Sequence, residues 1–198
     1  MNASTFDDDG SATLAKIKSL ESLALDHNQR FTGLGAAALR ALPELRSLRF
    51  GACMKFTGEG VQAVAELSQL ESHQLHRCGV GDAELPPLAK LSRLKTLFVS
   101  VHFNGRLIRA GLKHLAGIAT LVSLKVGETV LAFDGGLEVL VGLRHLKTLE
   151  LDQVGASEAD IQKLREAMPK TEIKWTPASA DEIAQFHRRE ARGMERQR

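Results

Sequence analysis

His73, His76, Arg77 and Cys78 crowd into six consecutive residues, and Cys53 stands 25 positions before Cys78. Histidine and cysteine are the residue types that hold zinc, so a metal centre is the first chemistry to weigh. The stretch Ser72-His73-Gln74-Leu75-His76 falls in the strand part of a repeated phrase. On a strand, positions 73 and 76 face opposite sides, and their imidazoles cannot converge on one tetrahedral ion. No metal site is expected. For catalysis, the nearest pairings of carboxylate, hydroxyl and imidazole are Glu150 with Asp152 and Ser123 with His76. Their spacing is that of ordinary surface residues, and the glycines form no phosphate-cradling loop. Neither an enzyme nor a bound cofactor is expected.

The frame that carries these residues is a repeated phrase. The Leu-x-x-Leu-x-Leu pattern of Leu20-Glu21-Ser22-Leu23-Ala24-Leu25 recurs, with Phe50, His73, Val99 and Val126 as substitutions, from Leu45, Leu70, Leu94, Leu121 and Leu146, at intervals of 25, 25, 24, 27 and 25 residues. A fixed period in this range means one supersecondary unit stacked on copies of itself. Within each phrase Leu-x-Leu places two side chains on one strand face, inward, with the intervening residues outward. A second phrase follows: Phe31-Thr32-Gly33, Phe56-Thr57-Gly58 and, more loosely, Phe133-Asp134-Gly135. After it, Ala38, Leu39 and Leu42, then Val61, Val64 and Leu67, then Leu137, Leu140 and Leu143 recur at helical spacing. Thr32, Thr57, Asp134 and Ser157 stand where a helix begins and are expected to cap it. Strand, turn and helix therefore repeat, giving a parallel sheet on the inside of a curve and helices outside.

These phrases resemble the leucine-rich repeat family, in its longer ribonuclease-inhibitor-like and cysteine-containing forms. The family places Asn or Cys at position nine of the phrase, where this chain has Asn28, Cys53 and Cys78 and then departs with His102, Thr129 and Val154. The resemblance implies an α/β solenoid of about six repeats plus a terminal strand, with a buried ladder of side-chain hydrogen bonds at position nine that weakens in the C-terminal half. It also implies that Cys53 and Cys78 are buried thiols. Their adjacency in consecutive repeats leaves a disulfide as the alternative, disfavoured because two cysteines suit a reducing compartment. His73 takes the slot filled elsewhere by Leu23, Leu48, Leu97, Leu124 and Leu149, so an imidazole is expected in the core. The 27-residue interval places an insertion near Val101-His102-Phe103-Asn104-Gly105-Arg106, expected on a loop.

Three regions follow: an acidic, disordered 1–11; the solenoid, 12–175, closed by Glu172-Ile173-Lys174-Trp175; and a polar, arginine-rich tail, 176–198. The tail is expected to be partly helical or disordered, a frayed solvated helix starting at the capping box Ser179-Ala180-Asp181-Glu182. The N-terminal cap looks thin, with only Leu14 and Ile17 before Leu20. The chain has 43% apolar and 25% charged residues and a formal charge of +2, which points to neither nucleic acid nor membrane. No signal-peptide pattern is seen, and a cytoplasmic protein is expected.

The outward strand positions then define the candidate surface. Ser22, Ser47, Ser72, Thr96, Ser123 and Thr148 form a small-hydroxyl row. The next row varies as Ala24, Arg49, Gln74, Phe98, Lys125 and Glu150, and the third as Asp26, Gly51, His76, Ser100, Gly127 and Asp152. Six basic and six acidic residues on these strands argue against nucleic acid. The expected function is a non-catalytic module that binds a protein partner on the concave face through Arg49, Gln74, His76, Arg77, Phe98, Lys125, Glu150 and Asp152. It would act as a monomer or as a subunit of a complex. The alternative is a structural or substrate-receptor subunit docked through its N-terminal end.

Overall fold

The computed structural model describes residues 6–100 and 111–195, with side chains to residue 188. Seven strands form one parallel sheet in chain order: β1 (Ser22–Asp26), β2 (Ser47–Gly51), β3 (Ser72–His76), β4 (Thr96–Ser100), β5 (Ser123–Val130), β6 (Thr148–Gly155) and β7 (Glu172–Pro177). Pairing is in register from phrase to phrase, so Leu23, Leu48, His73, Leu97, Leu124, Leu149 and Ile173 stand side by side. Because strand side chains alternate, that register sends this row and the row through Leu25, Phe50, Leu75, Val99, Val126 and Leu151 into the core and keeps the three outward rows on the other face.

The inward row packs against helices on the convex side: α2 (Gly58–Ala65), α3 (Leu112–Leu115) and α4 (Glu158–Ala167). Elsewhere the convex segment is 3-10 helix, at Leu34–Ala41, Asp82–Glu84, Pro86–Lys90, Phe133–Gly135 and Leu137–Gly142. The helical spacing of the apolar residues is present in both kinds, but an uninterrupted α-helix is not. At Pro86-Pro87 the reason is direct, since neither proline has an N–H to continue an α-helical ladder. The expected caps divide in the same way. Thr57 Oγ1 accepts from Gly60 N at 3.2 Å and Ser157 Oγ from Asp160 N at 3.1 Å. Asp134 lies inside a 3-10 turn that has no capping side chain, whereas Thr32 Oγ1 accepts from Leu34 N at 3.4 Å, although Gly33, at φ 94°, occupies the N-cap.

Thr32 is also engaged by the N-terminus. Helix α1 (Asp8–Leu14) packs on the first convex segment, with Ser11 and Leu14 buried. Asp8 Oδ2 accepts from Thr32 N at 3.2 Å and Thr32 Oγ1 at 2.7 Å; Oδ1 accepts from Gly33 N at 3.1 Å and Gly35 N at 2.8 Å. The acidic run therefore folds from Asp8 onward, because one carboxylate satisfies several free amides at a helix start. Residues 8–11, expected to be disordered, are the first turn of this cap, and residues 1–5 lie outside the described residues. Phe6 adds its ring to a cluster with Phe31, Phe50 and Phe56, with centroids 5.0–6.0 Å apart. Ile17, taken from the sequence as part of this cap, is exposed.

His73 is fully buried among these rings, meeting Phe50 edge-on at 6.0 Å, with Nδ1 3.0 Å from Leu48 O. The position-nine ladder runs as the departures imply. Asn28 Nδ2 donates to Asp26 O at 3.0 Å, Cys53 Sγ to Leu25 O at 3.4 Å and Cys78 Sγ to Phe50 O at 3.4 Å. Thr129 Oγ1 is buried without a hydrogen-bond partner, and Val154 offers none. Where the ladder stops, backbone pairing takes over: β5 and β6 lengthen to 8 residues and pair Thr129 with Val154 and Val130 with Gly155. His102 and the expected insertion at 101–106 lie outside the described residues.

After β7 the chain turns back as α5 (Ala180–Glu195). Both halves of the expected capping box form: Ser179 N donates to Glu182 Oε2 at 2.7 Å, and Glu182 N to Ser179 Oγ at 3.3 Å. The start of this helix is not a frayed tail. Gln153 Nε2 donates to Glu182 Oε1 at 2.8 Å, Phe186 is 4% exposed, and Ile183 lies where a side chain on Gly155 would have to go.

Candidate functional site

The three outward rows lie in register across the sheet, so the candidate residues fall into two groups on one surface. At the N-terminal side, Arg49 Nε donates to Asp26 Oδ1 at 3.1 Å across the rung. Gly51 makes this possible, because any side chain there would fall on the Asp26 carboxylate. Gln74 comes next, half-buried, with Arg49 on one side and Phe98 on the other.

The centre is an aromatic stack. The His76 ring lies 5.1 Å from that of Phe98 at an interplanar angle of 30°, and His76 Nδ1 is 2.9 Å from Ser100 Oγ. On Phe98 the Lys125 ammonium also sits, 5.1 Å from the ring centroid, a cation–π distance. Lys125 Nζ then reaches Glu150 Oε1 at 2.5 Å and Asp152 Oδ2 at 2.9 Å. Partial burial alone would lower the Lys125 pKa, but the hydrogen bonds it donates to Glu150 and Asp152 carry it above the usual lysine range. His76, Phe98, Lys125, Glu150 and Asp152 thus form one continuous network over four strands. The Phe98 ring is engaged by both an imidazole and an ammonium.

Arg77 is not part of this group. It sits one residue past β3 in a left-handed conformation, φ 54°, and its Nε and Nη2 donate to Glu128 Oε1 at 3.0 and 2.7 Å. The Glu128 side chain is only 5% exposed, so the pair is a strut along the rim. Sequence reasoning missed this partner and Asp26. A usable signal was present: Arg77 and Glu128 occupy the same position of the phrase, two repeats apart, with opposite charge. Ser123 and His76, paired above as a possible dyad, lie in different rows. His76 meets Ser100, and Ser123 stands between Thr96 and Thr148.

Among the described residues no group of three or more His, Cys, Asp or Glu is placed to hold a metal ion, and no helix is long and apolar enough to cross a membrane. Cys53 and Cys78 are free and buried.

One parallel sheet in chain order, leucines in register and helices behind it define an α/β solenoid with the leucine-rich repeat fold. Among solved structures the chain is similar to internalin C2 (inlC2) from Listeria monocytogenes, at 22% identity and a TM-score of 0.62, over 94% of this chain and 74% of that one. It is likewise similar to internalin inlF from the same organism, at 21% identity and a TM-score of 0.58, over 83% of this chain and 45% of that one. A third similar structure is TLR13 in a complex with ssRNA13, at 18% identity and a TM-score of 0.58, where the chain spans 23% of its counterpart. No protein-family model and no curated protein matches the sequence.

Proposed function

We propose that this chain is a non-catalytic protein-binding module whose partner lies on the concave face over β2 to β6. The observation that carries this reading is the outer face itself, where the frame residues repeat and the row through Arg49, Gln74, Phe98, Lys125 and Glu150 does not. A stack of His76 and Phe98 at its centre, flanked by Arg49 and by Glu150 with Asp152, offers apolar area inside a polar rim, the layout from which protein interfaces draw their affinity. The charges there are already paired within the chain, so they enter a complex at a lower cost of holding them in place. Two free, buried thiols suit the cytoplasm as its compartment. Docking through the N-terminal end has less surface to act on, since α1 and Phe6 cover the first repeat.

The test is capture of a partner by wild type and by an Arg49→Ala, Gln74→Ala, Phe98→Ala triple variant. Arg77 is left intact because its removal would strand the buried Glu128 charge. The triple variant is expected to weaken binding at least tenfold with its unfolding midpoint unchanged. Undiminished binding would move the site elsewhere.

A further inference from the structure

Cys53 and Cys78 hold the same place in consecutive repeats, and the backbone that carries them matches. Gly51 pairs with His76 across β2 and β3, Ala52 and Arg77 are both left-handed at φ 52° and 54°, and Ala52 N donates to His76 O at 2.8 Å. The two loops therefore turn alike and present their cysteines in the same direction. Adjacent rungs of a sheet are about 4.8 Å apart, inside the roughly 4.4–6.8 Å between α-carbons that disulfides span. Both thiols are free and belong to one apolar core.

We propose that Cys53 and Cys78 form a reversible disulfide that staples the second repeat to the third when the chain meets an oxidised low-molecular-weight thiol. The two neighbouring thiols also differ in acidity. The Cys78 thiol beside it holds Cys53 below the usual thiol range, while that same neighbour, together with burial, pushes Cys78 up. Cys53 is 0% exposed, so it meets the small disulfide only when the loops after β2 and β3 open locally, and there it attacks first. Its thiolate displaces one thiolate from the small disulfide, giving a mixed disulfide. Cys78, losing its proton, then attacks Cys53 Sγ and expels the second. The two cysteines are oxidised, the small disulfide is reduced to two thiols, and the two protons pass to those thiols.

Closing the bridge removes the bonds from Cys53 to Leu25 O and from Cys78 to Phe50 O. Parallel side chains one rung apart also hold their β-carbons farther apart than the roughly 3.5–4.5 Å that a relaxed bridge prefers, so the bond is strained and easily reduced. The sulfurs further contact Gly51 O at 3.6 Å and His76 O at 3.5 Å, the last carbonyls of β2 and β3. Oxidation therefore acts directly behind Arg49 and His76.

The experiment equilibrates the folded chain with mixtures of reduced and oxidised glutathione, quenches with N-ethylmaleimide in denaturant, and weighs the intact protein. The expected product is a monomer lighter by two hydrogen atoms with no maleimide added, restored to two adducts by dithiothreitol, and absent from Cys53→Ala and Cys78→Ala variants. Two alkylatable thiols at every glutathione ratio, a mixed disulfide that never closes, or a cross-linked dimer would each overturn it. The reading is of thiols alone, so it stands or fails independently of partner binding.

Discussion

An imidazole at position 73 is neutral because the core allows it no other state. Burial lowers its pKa to about 4, against a smaller opposing effect of the bond with Leu48 O. The unfolded chain, with an ordinary histidine near 6.5, takes up this proton first as pH falls. Between about 6.5 and 4 the unfolded state therefore binds more protons, and stability is lost on acidification at up to roughly 1.4 kcal/mol per pH unit from this group. Above 6.5 its effect is constant. Nε2 has no hydrogen-bond partner, so His73→Leu should raise stability by about 1–3 kcal/mol at neutral pH. Urea unfolding at pH 7 and pH 5 should show the variant losing much less on acidification than wild type. An equal loss in both would mean that other groups set the slope. The anomaly was legible in the sequence as a histidine in a leucine column. Its hydrogen bond was not, because which ring nitrogen finds a carbonyl depends on a rotamer that spacing does not reveal.

At the scale of elements, strands were readable and their neighbours less so. The phrase repeats with a period that fixes register, and β1 to β6 follow from it, while β7 follows from the terminal stretch Glu172-Ile173-Lys174-Trp175. The convex segments share an apolar spacing that both α and 3-10 helices satisfy, which is why only some of them are α-helical. The N-terminal cap was missed for a related reason. Asp7-Asp8-Asp9 reads as a solvated acidic run, and only the fold brings Asp8 to the amides of Thr32, Gly33 and Gly35, 24 to 27 residues away. Asp8→Ala should destabilise the chain by about 1–3 kcal/mol and speed hydrogen exchange at Gly33 and Gly35 more than in β4 to β7. Unchanged exchange at those two amides would show that water replaces the carboxylate at no cost. The tail was under-read likewise: Ile183 and Phe186 are too few to announce packing, and the seat that Gly155 leaves for Ile183 is set by the fold alone.

For the whole molecule, the solenoid turns a one-dimensional repeat into a surface whose rows can be listed from the sequence, and each candidate on β2 to β6 stands in its expected row. What the rows could not give was the wiring between them. Lys125 joins Phe98 to Glu150 and Asp152, Arg49 closes on Asp26, and Arg77 leaves the surface for Glu128, because charged side chains on neighbouring rungs lie within reach of one another. The concave face is consequently pre-ordered before any partner arrives. A photo-crosslinking residue placed at Gln74 on the concave face, and in a separate variant at Gln62 on the exposed side of α2, tests this most directly. Irradiation in cell extract is expected to attach one discrete protein at position 74 and none at position 62. The same product from both positions, or a product from position 62 alone, would contradict the concave face as the binding site.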